Sequence, residues 1–237
     1  IDFTTIAGVY KIDKTMNASV TNSSGEVIEA ILVNANDKYK TLDLRKFGAG
    51  AYTVEIFSEP KEYTYYVSAT GNDTANGETE ATAFKTLTGA IAKINETVTG
   101  TRDTVNLVIL DNGNIHWGSN KYPTYPYTLK ITAKNAQTRL SCIDPDTGTN
   151  TDINALGGKT YFDNFNFYPD YFYLCGNDLT TGSNFTQRAK YWHLGNESGT
   201  KYNTDINIEL NHHLNDMFVV GGYYTNTFNK DINITYN

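Results

Sequence analysis

The chain has 237 residues, with 19 Lys and Arg against 26 Asp and Glu, a net charge of −7 and a pI near 5.1. So few positive charges cannot assemble the basic stripe that nucleic acid or an anionic membrane requires, which excludes those partners. No apolar run approaches the roughly 18–20 residues of a membrane span, and 18 Tyr with 11 Phe are too many aromatics for a disordered chain. Asn and Thr supply 60 of the 237 residues, a polar, β-rich composition that points to an extracellular protein, secreted or attached to a cell surface. The chain opens at Ile1 without a leader and stops inside a strand-like run, so an excised piece of a longer protein is expected, any signal peptide being already removed.

Residues 1–61 alternate with the period of a half-buried strand over 5–12, 18–21, 26–33, 39–44 and 51–57. Turn residues separate these runs at 22–25, 34–37 and 48–50. Five short strands at near-regular spacing predict a small antiparallel β-sandwich. The strand, glycine turn and "GAYTVEIF" over 42–57 resemble the last hairpin of bacterial immunoglobulin-like modules, which implies a spacer or a binding module. Ser58–Lys61 reads as the boundary to a second domain over 62–237.

That second domain opens on Tyr65-Tyr-Val-Ser-Ala-Thr-Gly-Asn-Asp-Thr-Ala-Asn-Gly77, then Phe84-Lys-Thr-Leu87 and Gly89-Ala-Ile-Ala-Lys-Ile94. Phe84, Leu87, Ala90, Ile91 and Ile94 fall on one face of a helix. The stretch resembles the N-terminal signature of right-handed parallel β-helix proteins of the pectate-lyase-like superfamily, including the turn positions Gly71, Asp73 and Gly77. The resemblance implies an all-β chain: a right-handed parallel β-helix with a short N-terminal capping helix, preceded by the β-sandwich. A solenoid needs such a cap because its end coil otherwise exposes apolar side chains and unpaired backbone groups.

Beyond residue 104 strand-like cores recur at 105–110, 128–132, 161–167, 205–210 and 231–236. The last two nearly repeat each other 26 positions apart. In a stacked fold this spacing predicts Ile206 over Ile232 and Asn207 over Asn233. Roughly five coils fit between residue 105 and the end.

Carbohydrate-active β-helices work either as lyases, with a Lys or Arg base and a carboxylate-held Ca²⁺, or as hydrolases with clustered Asp. Asn-Thr-Asp occurs at 150–152 and 203–205 without the glycine and the other signatures that accompany it in the hydrolases. Arg139, Lys159, Arg188 and Lys190 are the candidate lyase bases. Asp144, Asp146 and Asp152, at alternate positions around a glycine, are the calcium candidates, against an ordinary acidic turn. His212 and His213, adjacent in a strand-like run, point to opposite faces and cannot chelate one ion together. No catalytic residue is assigned.

Aromatic clusters remain at 121–127, 168–173 and 191–193. Flat rings beside polar groups suit sugar recognition, the ring covering the C–H face while polar groups bond the hydroxyls. Trp117, Tyr122, Tyr125, Tyr127, Trp192 and His193 are therefore the expected ligand-binding residues, with coil filling as the competing role. The expectation is an adhesin-like or accessory module binding polysaccharide or surface glycan. Its alternatives are the N-terminal fragment of a polysaccharide lyase or glycoside hydrolase and a structural stalk whose aromatics are buried.

Overall fold

The structure, a computed structural model, describes residues 2–4, 8–28, 32–34, 36–45, 47–48, 50–112, 114–116, 124–141, 154–169, 171–187, 191–195, 200–211, 218–220 and 227–237. It divides into two compact units, Ile1–Pro60 and Lys61–Asn237. No helix among the described residues is long and apolar enough to cross a membrane.

Unit 1 is two antiparallel sheets. One orders strands Asp2–Thr4, Ala51–Ser58, Met16–Asn22 and Val27–Ile28; the other orders Val9–Asp13, Tyr39–Asp43 and Leu32–Asn34. Val20 and Val54 from the first sheet meet Leu42 and Leu44 from the chain of the second in one small core. The turn expected at 22–25 forms because the Asn22 side chain accepts from the Ser24 and Glu26 amides while Gly25 takes φ +84°. The single strand expected over 26–33 is instead two strands in different sheets, Val27–Ile28 and Leu32–Asn34.

In unit 2 the first strand, Glu62–Val67, is followed by a turn and the helix Leu87–Ile94. Asp73 organises this region. Its Oδ1 accepts from the Lys85 and Thr86 amides at 2.8 Å each, and its Oδ2 accepts from the Thr86 hydroxyl at 2.9 Å. Thr86 in turn caps the helix by accepting from the Gly89 amide. Gly77, at φ +69°, and Gly71 are required here: a Cβ on the first would meet the Phe84 ring and on the second the Phe84 and Ala83 carbonyls. Leu87, Ala90, Ile91 and Ile94 are buried as the periodicity predicts. Phe84 is buried too but precedes the helix, bridging to Val67.

The rest of unit 2 is parallel sheet. Seven strands, Glu62–Val67, Thr104–Ile109, Thr128–Ala133, Thr160–Asp163, Leu179–Thr181, Ile206–Leu210 and Ile232–Tyr236, pair in chain order. A second parallel sheet holds Asn114–His116, Arg139–Ser141, Asn166–Tyr168 and Thr186–Gln187, and a third holds Asn154–Ala155, Tyr171–Tyr173, Tyr191–His193 and Phe218–Val220. From Thr128 to His193 the chain serves the three sheets in strict rotation. The row Val105–Leu129–Thr160–Leu179–Ile208–Ile234 stays in register although successive members lie 24, 31, 19, 29 and 26 residues apart. Ile206 pairs with Ile232 and Asn207 with Asn233, as their spacing predicts.

A fourth, two-stranded parallel sheet joins Lys201–Tyr202 to Thr227–Phe228. The first three sheets contribute to one core. Phe162 of the seven-stranded sheet packs against Phe167 of the second at 5.4 Å and Phe172 of the third at 5.9 Å, with Phe165 and Phe185 closing the cluster. Phe172 also meets Trp192 edge-on at 5.2 Å. The architecture is thus mostly β, dominated by parallel sheet in unit 2.

A candidate binding groove on the seven-stranded sheet

Four of the residues expected to bind a ligand lie in the interior. Tyr125, Tyr127, Trp192 and His193 are 7%, 1%, 0% and 3% exposed. Tyr125 stacks on Tyr127 at 5.4 Å and donates or accepts a 2.5 Å hydrogen bond with the Thr160 hydroxyl. His193 stacks on Tyr173 at 4.8 Å. A ring that shows less than a tenth of its surface to solvent cannot cover a sugar, so these four are core residues and the expectation for them is corrected. Trp117 and Tyr122 lie outside the described residues, as do the calcium candidates Asp144, Asp146 and Asp152. Among the described residues no group of three or more His, Cys, Asp or Glu side chains is placed to hold a metal ion.

Burial sets the titration of these interior groups. It pushes the Tyr125 phenol up to about 12, against the opposing hydrogen bond from Thr160, and it raises Tyr127 as well. It lowers His193, favouring the neutral imidazole. Tyr127 Oη and Trp192 Nε1 have no hydrogen-bond partner among the described residues. Both rings fill space within the core, where the apolar area outweighs one lost bond.

The polar feature of unit 2 is on the other face of the seven-stranded sheet. Alternation sends Val105, Leu107, Leu129, Ile131, Phe162, Leu179 and Ile208 inward, which leaves the intervening positions facing out. At the later strands these form a groove of about 340 Å³ lined by Lys159, Asp178, Thr180, Asn207, Glu209, Asn233 and Thr235. Two rows run across the strands: Lys159, Asp178, Asn207 and Asn233 in one, Thr180, Glu209 and Thr235 in the other. Neighbouring members of a row are about 4.8 Å apart, the spacing of the strands.

Internal hydrogen bonds hold this lining. Asn233 donates to Asn207 Oδ1 at 3.0 Å, and Asn207 donates to Asp178 Oδ1 from its amide nitrogen at 3.2 Å and its backbone at 2.7 Å. Glu209 Oε1 accepts from Asn211 and Asn237 at 3.3 and 3.2 Å. The Lys159 ammonium has no ion pair or hydrogen bond among the described residues. The groove therefore offers one cation, two carboxylates with unused lone pairs, and hydroxyl and amide groups in fixed positions. Such a set bonds the hydroxyls of a polar ligand through several weak contacts.

Of these residues only Lys159 is marked by its type in the sequence, as a candidate base. The others are scattered over 58 positions, from Asp178 to Thr235, and come together only through strand register. The available signal was the repeat that aligns Asn207 and Glu209 with Asn233 and Thr235. Compared with family models, curated proteins and solved structures, the chain matches none of them.

Proposed function

We propose that residues 62–237 form a right-handed parallel β-helix, capped at its N-terminal end by the helix Leu87–Ile94, that binds polysaccharide or surface glycan without catalysis. The setting is a secreted or cell-surface protein in which unit 1, as an immunoglobulin-like module, acts as spacer. The observation that supports a β-helix is the rotation of the chain through three parallel sheets around one aromatic core. The observation that carries binding is the groove from Lys159 to Thr235, a row of pre-positioned hydrogen-bonding groups repeating at the strand spacing.

Affinity electrophoresis against a panel of neutral and acidic polysaccharides tests this reading. Retardation by at least one glycan, lost in Asn207→Ala and Lys159→Ala variants of unchanged melting temperature, is expected. If no glycan retards the chain, binding by this groove is wrong. A structural stalk is the second reading, favoured by the burial of Tyr125, Tyr127 and Trp192. Depolymerisation of an acidic glycan with a new C=C bond, lost on Lys159→Ala, would instead make the groove that of a lyase.

A further inference from the structure

Unit 1 contains a constellation that neither sheet pairing nor core packing requires. Asn17 lies near the start of strand Met16–Asn22 in the four-stranded sheet, Lys40 lies in strand Tyr39–Asp43 of the three-stranded sheet, and Glu59 follows strand Ala51–Ser58. Their side chains meet. Lys40 Nζ donates to Asn17 Oδ1 at 3.0 Å, and Asn17 Nδ2 donates to Glu59 Oε1 at 2.5 Å. Lys40 and Asn17 are half-buried while Glu59 is exposed.

The order of groups is chemically specific. Oδ1 is bonded to Cγ, so the amine lies one carbonyl bond from an electrophilic carbon, within reach of a near-attack geometry. The carboxylate touches the nitrogen that must leave, where a proton carrier is needed. We propose that Lys40 and Asn17 join in an intramolecular isopeptide bond between the two sheets, with Glu59 as the proton carrier.

The reaction balances without any co-reactant. The Lys40 ammonium passes one proton to its hydrogen-bond partner Asn17 Oδ1, which frees the Nζ lone pair to attack Asn17 Cγ and form the N–C bond. A second Nζ proton and the one on Oδ1 pass to Nδ2 by way of Glu59, which touches that nitrogen and ends as it began, a carboxylate. The Cγ–Nδ2 bond breaks, ammonium departs and a secondary amide remains. Nothing is oxidised or reduced.

The place suits such a staple. Among the described residues the shared core of unit 1 is small: Val20, Leu42, Leu44 and Val54 are buried, with partly buried neighbours. A domain of this size is short of buried area, and small domains commonly add covalent cross-links. This bond would tie the two sheets across a 23-residue separation.

Intact mass spectrometry of the purified full chain, followed by peptide mapping, is the test. The expected mass is that of the sequence less one ammonia, with a branched peptide joining the segments that carry Asn17 and Lys40. Lys40→Arg and Asn17→Ala variants should show their full sequence masses, and Glu59→Gln should lose or slow the cross-link. A wild-type chain that keeps its full mass after days of incubation, with Asn17 and Lys40 in separate unmodified peptides, overturns the proposal. So does conversion of Asn17 to Asp with no branched peptide. Both readouts come from the folded wild type and do not depend on any variant folding.

Discussion

Replacing Phe162 by Ala tests whether three sheets enclose one core. The ring is fully buried and has Phe165, Phe167, Phe172 and Phe185 within 5.4–5.9 Å between centroids, contributed by strands of all three sheets and the turns between them. Phe→Ala in a packed core costs about 3–5 kcal/mol, and aromatic pairs add roughly 0.5–1.5 kcal/mol each beyond area. With partial collapse of the site, a loss of about 4–5 kcal/mol is expected, or about 8–20 °C in melting temperature for a unit of this size. Phe162→Leu, which keeps most of the volume, should cost only about 1–2 kcal/mol. Urea denaturation followed by near-ultraviolet circular dichroism reads both. A loss below about 1 kcal/mol for the alanine variant would refute the shared core, because a ring between independently stable sheets can be removed cheaply.

Two further outcomes follow from other parts of unit 2. Asp73→Ala removes one carboxylate that accepts three hydrogen bonds. It should destabilise the unit by about 2–4 kcal/mol and speed amide exchange in the helix Leu87–Ile94, whereas Asp73→Asn should retain part of the stability. The Tyr125 phenol, raised from 10.0 to about 12, binds its proton more tightly folded than unfolded. Its contribution is therefore intact below pH 10 and lost as the pH rises from 10 to about 12, a loss of about 3 kcal/mol. Alkaline unfolding monitored by tyrosinate absorbance should flatten over that window in Tyr125→Phe.

How far the sequence could be read depended on strand length. Thr104–Ile109, Thr128–Ala133 and Ile206–Leu210 carry three inward residues each, enough to show a period of two, and their positions were legible within a residue. Tyr171–Tyr173 and Tyr191–His193 are three residues long and aromatic throughout. No alternation fits in three such residues, so they read as sugar-binding loops when Phe172 and Trp192 are in fact core. The strand 26–33 failed for another reason: apolar residues from Val27 to Val33, broken only by Glu29, mark no point at which the chain changes sheets. The groove was hidden more deeply, because which outward residues share a row depends on pairings such as Leu179 with Ile208, 29 positions apart. Only the stretch around Gly71, Asp73, Gly77 and Phe84 was legible in detail, since backbone approach and a single carboxylate fix it locally.

The constancy of register across steps of 19 to 31 residues has an evolutionary reading. The sheet behaves as a ruler whose marks are indifferent to how much chain lies between them, because extra length can leave and return through a corner. Lengthening a flexible connection costs only about 0.6 kcal/mol per doubling, far less than shifting one strand by a residue, which turns every inward side chain outward. Selection can therefore vary the corners in length and chemistry almost freely while the frame beneath them stays fixed. A chain built this way can change what it presents to its surroundings without having to fold anew.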